Sequence, residues 1–191
     1  MKKIFIIGLC LFIAGCQKTT EIQDQEIDEM SVFQLPTQWE TQDGENLELV
    51  DLKGNVLVAV MIYTSCKMAC PRLVADMQNI EKSIGSKTKN PVKYLLISID
   101  PKNDTPERLK SFAEENQMSG DQWIFMRGSE EDTREFANVL AVKYASISPI
   151  DFSHSNIISV FDTGGVMRHQ MEGLAVNNEG TVAAIKKYAG L

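Results

Sequence analysis

Two eight-residue stretches, VLVAVMIY (56–63) and VKYLLISI (92–99), constrain this chain more than any other part of it. Both are rich in β-branched and apolar residues and lack the alternation of a half-exposed strand, so they read as central strands covered on both faces. Such strands demand helices, and the sequence supplies them. Pro71 suits the first turn of a helix, after which Leu73, Met77, Ile80 and Ile84 recur at spacings of three and four and make one apolar face. PERLKSFAEEN predicts a second helix from Pro106, with Asp104 or Thr105 as its cap. WIFMR (123–127) reads as a short strand. EEDTREFANVLAVKY reads as a helix with Phe136, Val139 and Leu140 inward. IISVFDTGGVMRHQMEG (157–173) is strand, Gly-Gly turn, strand, and NNEGTVAAIKKYAGL is a closing helix. Upstream, the turn signals Asp43-Gly44 and Lys53-Gly54-Asn55 in WETQDGENLELVDLKGN fit a β-hairpin. Strands alternating with helices and ending in a hairpin plus helix imply a single α/β sandwich with a mixed sheet.

The N-terminus, MKKIFIIGLCLFIAGC, has a basic start, an uncharged apolar run from Ile4 to Ile13, and small residues before Cys16. About ten apolar residues are too few to cross the roughly 30 Å core of a bilayer, so residues 1–15 read as a secretory leader. Ile13-Ala14-Gly15-Cys16 resembles a bacterial lipobox, which predicts an exported lipoprotein held to a membrane by an acylated Cys16, on the periplasmic or outer cell-surface side. Gln17 is not the aspartate associated with inner-membrane retention, which favours the outer membrane where a cell has one. Residues 16–34 are polar and acidic without a sustained apolar period and read as a tether; residues 35–191 read as the folded domain. The formal net charge is −7, and loss of Lys2 and Lys3 makes it more negative. That charge argues against nucleic acid and against electrostatic adhesion to anionic lipid, so membrane attachment falls to the lipid chains.

Of four cysteines, Cys10 lies in the leader and Cys16 carries lipid, leaving Cys66 and Cys70 for chemistry. YTSCKMACP places them at i and i+4, on one face if the segment is helical. Their Cα atoms would then be about 6 Å apart, within disulfide range, and the same spacing lets two thiolates hold one metal ion. Export permits the oxidised pair. Redox and metal readings therefore both stand. The pair follows the first central strand at its carboxyl end, where open sheets bind ligands, and the start of a helix behind Cys70 favours its thiolate. A structural zinc site is normally four-coordinate, and the chain has only two histidines. His154, in SPIDFSHSN, reads as a loop residue able to swing toward the carboxyl end of the sheet. His169, between Arg168 and Gln170, reads as part of an exposed polar strand face. Two thiolates and the His154 imidazole would make a soft set suited to copper, Cu(I) by its sulfurs or Cu(II) with an added oxygen ligand, better than to magnesium, calcium or manganese. A thiol–disulfide oxidoreductase or thiol peroxidase would instead use Cys66 to attack and Cys70 to resolve, which leaves His154 without a task.

YTSCKMACPRL, LLISIDPKNDTPERLKSF and FSHSNIISVFDTGG, in that order, resemble the motifs of the Sco (SenC) family of copper-binding assembly proteins. They match its Tyr-Thr-x-Cys-x-x-x-Cys-Pro segment, its Ser-Val-Asp-Pro-x-x-Asp-Thr-Pro stretch, and its histidine, strand and Asp-x-x-Gly turn, and the likeness runs from about residue 33 to the C-terminus. The resemblance implies a thioredoxin-like fold with copper held by Cys66, Cys70 and His154. It also implies a role in building the dinuclear copper centre of cytochrome c oxidase, by copper delivery or thiol reduction, with subunit II of the oxidase as partner. Asp100 falls on a family acidic position that supports the site from outside the ligand set; capping the Asp-Pro turn is its competing role. Lys67, Met68 and Ala69 depart from the family's acidic and small apolar residues, and Ser65 replaces a frequent histidine or other polar residue. Pro149 stands five residues before 154, too early to match the proline that thioredoxins place directly before their next strand. The combined reading is a metallochaperone whose oxidised pair cannot load copper.

Overall fold

The computed structural model describes residues 27–66, 70–148, 151–174 and 177–191. The expectations for the leader, Cys10, Cys16, Gln17, Lys67, Met68, Ala69 and Pro149 lie outside those residues. Strands β1 (Gln38–Thr41) and β2 (Asn46–Glu48) form the expected first hairpin. Then come β3 (Val56–Ile62), α1 (Cys70–Ile84), β4 (Val92–Ser98), α2 (Pro106–Glu115), β5 (Trp123–Gly128) and α3 (Glu130–Val139). A second hairpin, β6 (Tyr144–Ser148) and β7 (Asp151–His154), precedes β8 (Ile157–Phe161), β9 (Met167–Glu172) and α4 (Glu179–Ala189).

Seven strands form one mixed sheet in the order β2-β1-β5-β4-β3-β8-β9. Its middle strands β3, β4 and β5 run parallel, and antiparallel pairs flank them. Every residue of β3 is buried, as its unbroken apolar run demands. Residues paired across strands share a face, so Trp39, opposite Gly128, lies on the Met126 side of β5 and away from Phe125. Trp39 packs edge-on against Phe136 of α3 at 5.6 Å, and Phe125 packs against Phe112 of α2 at 6.1 Å. Helices α3 and α2 therefore cover opposite faces. Helix α1 joins the α2 side, where Gln78 Nε2 donates to the Asn116 carbonyl at 2.5 Å, and α4 packs beside α1.

The structure corrects several expectations. Helix α3 stops at Val139, which is 39% exposed and not inward. Ala141 takes a left-handed conformation with φ 53°, and the turn it makes buries Val142 instead. Tyr144 consequently enters a strand. Thr105 is the α2 cap, its Oγ1 accepting the Arg108 N–H at 3.4 Å, while Asp104 is used elsewhere. His169 is half-buried toward α4, with Nε2 3.1 Å from Thr181 Oγ1, and not on an exposed face.

The folded body also begins upstream of residue 35. Val32 and Phe33 are buried, Ser31 bridges to Val166, and Ser31 Oγ donates to the Gly164 carbonyl at 2.6 Å. The Val32 N–H donates to the Gly165 carbonyl at 3.0 Å. Gly165, at φ +78°, suits this closeness, since a Cβ there would sit 2.5 Å from Ser31 Oγ and 2.7 Å from the Phe33 ring.

Candidate metal and dithiol site

Beyond Ile62 the chain leaves β3 at the carboxyl edge of the sheet and reaches Cys66 in a turn, with the Cys66 N–H donating to the Tyr63 carbonyl at 3.2 Å. Cys66 is half-buried. Cys70 lies in the first described turn of α1 and is fully buried, and the two cysteines are not joined by a disulfide. Cys66 itself is not helical, and the expected helical turn between the two cysteines falls on residues 67–69, outside the described residues. The Cys70 N–H, near the amino end of α1, donates to Cys66 Sγ at 3.3 Å. The positive end of α1 thus favours charge on Cys66. The expectation for Cys70 is reversed: burial pushes its thiol up, and the neighbouring Cys66 and Asp104 push the same way against an opposing backbone hydrogen bond from Tyr63.

Strand β7 delivers His154. The predicted loop is a short hairpin, and β7 ends on the histidine. Ligand atoms of Cys66, Cys70 and His154 all lie within 4.8 Å of one another, the one such three-residue grouping among the described residues. His154 Nδ1 is 3.1 Å from the Ser155 carbonyl. A carbonyl only accepts, so Nδ1 carries the proton and Nε2 presents its lone pair. That Nε2 is buried and has no hydrogen-bond partner. Burial lowers the His154 pKa from its ordinary value, outweighing the bond to Ser155, and so keeps the ring neutral at neutral pH. A buried, partnerless lone pair on a ring grouped with two sulfurs fits a soft metal ion.

Tyr63 ties the histidine's hairpin to the thiol loop, a role that no local sequence pattern signals. The side chain is 3% exposed; Oη donates to Asp151 Oδ1 at 2.6 Å and lies 3.2 Å from the Phe152 carbonyl. Its ring meets Phe152 edge-on at 5.2 Å and His154 at 5.8 Å. Burial, then the bond to Asp151, raise the phenol's pKa.

Asp104 braces the other side. It is 1% exposed and accepts from Thr64 Oγ1 and Ser98 Oγ, each at 2.5 Å, and from the Thr64 N–H at 3.2 Å. Arg108 Nε donates to Thr64 Oγ1 at 2.9 Å. Burial raises the Asp104 pKa, partly offset by the Ser98 and Thr64 bonds. Asp100, on the family's acidic position, accepts from Asn103 Nδ2 on both carboxylate oxygens, at 2.9 and 3.0 Å. It holds the turn after β4, the competing role named for it.

Comparison with known proteins agrees with this arrangement. A family model described as SCO1/SenC matches residues 24–190. The SCO1 protein homolog of Bacillus subtilis (strain 168) is 34% identical over 133 residues, covering 69% of this chain and 65% of that protein. The match therefore spans slightly under two thirds of that relative's length. Among solved structures, BsSco, described as a member of the Sco family of cytochrome c oxidase assembly proteins with a disulfide switch, is 28% identical at TM-score 0.73. That alignment covers 87% of this chain and 99% of BsSco. A SCO1/SenC family lipoprotein from Bacillus anthracis str. Ames is 26% identical at TM-score 0.70, covering 80% of this chain and 92% of its own. The sandwich is accordingly thioredoxin-like, as the motifs implied. Sequence motifs, fold and the meeting of two sulfurs with one imidazole coincide over nearly all of the described body, and the chain belongs to the SCO1/SenC family.

Proposed function

We propose that this protein is a lipid-anchored copper carrier that serves assembly of a copper centre, the dinuclear site of cytochrome c oxidase, with oxidase subunit II as its partner. The observation that carries the reading is the convergence of ligand atoms of Cys66, Cys70 and His154 within 4.8 Å, on a histidine whose buried Nε2 has no hydrogen-bond partner. Copper is the cargo. Cys66 and Cys70 supply two sulfur donors, sufficient for the cuprous ion, and His154 adds the nitrogen that a cupric ion favours. On docking, the partner's own donors replace those of this chain one at a time. The half-buried Cys66 is the accessible first point of exchange, and the fully buried Cys70 the last. The oxidase assignment draws on the described role of the BsSco relative. The anchor draws on the lipobox-like segment before Cys16 and on the relative described as a lipoprotein.

The direct test is a copper titration of the reduced protein with metal analysis and thiol counting, expected to load one copper per chain and to protect both thiols. His154→Ala is expected to weaken cuprous binding modestly and to alter the cupric absorption spectrum strongly, because the nitrogen donor is lost while both sulfurs stay. An identical cupric spectrum would remove the imidazole from the ligand set. Cys16→Ser is expected to abolish fatty-acid labelling and to move the protein from membrane to soluble fractions; continued labelling would end the anchor assignment.

The unequal burial of the thiols supports a second reading, reduction of a partner's disulfide. Cys66 thiolate would attack one partner sulfur, forming a mixed disulfide and releasing the other as thiolate. Cys70, after losing its proton, would displace the first, leaving a Cys66–Cys70 disulfide and a reduced partner.

A further inference from the structure

We infer that Tyr63 and Asp151 form a latch that positions His154 against the two cysteines, and so sets whether the site offers three donors or two. The inference rests on the copper reading above. Hairpin β6–β7 is a separate two-stranded sheet that, among the described residues, pairs with no strand of the seven-stranded one. An isolated pair of strands is marginally stable in water, and this pair is weakened further by a register irregularity between Ser146 and Ser148. Its register, and with it the aim of His154, therefore depends on what the hairpin packs against.

Tyr63 supplies that support. Phe152 and His154 project to the same side of β7, and both rings lie edge-on to Tyr63. Asp151, on the other side of the strand, reaches back to the phenol oxygen at 2.6 Å. The chain separation across this bond is 88 residues, so it is a tertiary tie and not a local turn. Tyr63 is also three residues before Cys66 and accepts the Cys66 N–H on its own carbonyl. One residue thus touches both the thiol loop and the hairpin that brings the imidazole. The Ser155 carbonyl fixes which ring nitrogen is protonated, whereas the latch fixes where the ring sits. Opening it frees the hairpin, withdraws the nitrogen and leaves a two-sulfur site. That site retains the donors for Cu(I) and loses the nitrogen that Cu(II) favours.

The test uses the full reduced chain carrying Tyr63→Phe, which keeps the ring and removes the hydroxyl. Asp151→Ala removes the acceptor, and Asp151→Asn retains one. In the metal-free proteins, amide hydrogen exchange over β6 and β7 is expected to accelerate about ten-fold for Tyr63→Phe and Asp151→Ala, less for Asp151→Asn, with α1 and α4 unchanged. In the copper-loaded proteins, the nitrogen hyperfine coupling of the cupric ion should fall in the first two variants and recover in the third, while cuprous affinity stays within about three-fold of the parent. Parent-like exchange in Tyr63→Phe and Asp151→Ala would overturn the latch, as would faster exchange with unchanged nitrogen coupling. A parent protein without any nitrogen coupling would instead overturn the three-donor copper reading. The exchange rates would then decide the latch alone: acceleration supports it, and equality overturns it.

Discussion

Replacing Cys66 or Cys70 by alanine is expected to abolish tight copper binding by the reduced protein. Each substitution leaves one sulfur beside His154, and loss of a direct ligand should exceed the roughly 10–100-fold penalty of losing an outer-shell partner. The two variants differ in what else they disturb. Cys66 accepts the Cys70 N–H on its sulfur, so Cys66→Ala takes the acceptor from that one donor while the half-buried position leaves the core intact. Cys70 is fully buried at the helix start, and its removal empties about one methylene-sized volume, costing about 1 kcal/mol of stability. A competition titration against a cuprous chelator measures the binding, and urea unfolding of the same samples separates lost ligation from lost fold. Parent-like copper affinity in either variant would overturn the ligand assignment.

Asp104→Ala is expected to cost about 3 kcal/mol in urea unfolding. The carboxylate is the shared acceptor for the Thr64 N–H, Thr64 Oγ1 and Ser98 Oγ, and its removal strands these donors where little water reaches. Each buried unsatisfied group costs about 1–3 kcal/mol. Because Thr64 lies two residues before Cys66, copper affinity should fall together with stability. Asp104→Asn keeps an acceptor and should lose less. The pH dependence has a definite sign. The Asp104 pKa is raised by burial, so the folded state holds this proton to higher pH than the unfolded chain does. Its contribution is fully present below the unfolded carboxyl pKa and is lost as pH rises through the folded value. The Asn variant should lack that decline across the acidic range. An unfolding loss below about 1 kcal/mol for Asp104→Ala would mean that water replaces the carboxylate.

The central strands were legible because β3 is an unbroken apolar run and β4 is one but for Lys93 and Ser98, and α1 because Leu73, Met77, Ile80 and Ile84 repeat on one face. The second hairpin was not, for a physical reason. β7 is only four residues, DFSH, with Phe152 and His154 half-buried and Asp151 and Ser153 exposed, too short a run of alternation to separate from a loop. β6 is more exposed still and carries Ile147 at 67% exposure. The overrun of α3 has a similar origin. Ala141 ends the helical path in a conformation usually signalled by glycine or asparagine, so no residue type marked the stop. The three ligand candidates were identified by residue type and by the family motifs. The residues that hold them in place, Tyr63, Asp151 and Asp104, act through contacts 40 or more positions apart, which no local pattern reports.

The docking of Ser31–Phe33 on the β8–β9 turn gives the molecule a polarity. That turn lies beside the amino end of β3, where the Gly54 N–H donates to the Thr163 carbonyl at 2.9 Å, whereas the cysteines follow the strand's opposite end. Seven strand residues at about 3.3 Å each put roughly 20 Å between the two ends. The lipid anchor proposed at Cys16 would therefore join the folded body at the end opposite its sulfurs, which leaves that end clear for an incoming protein.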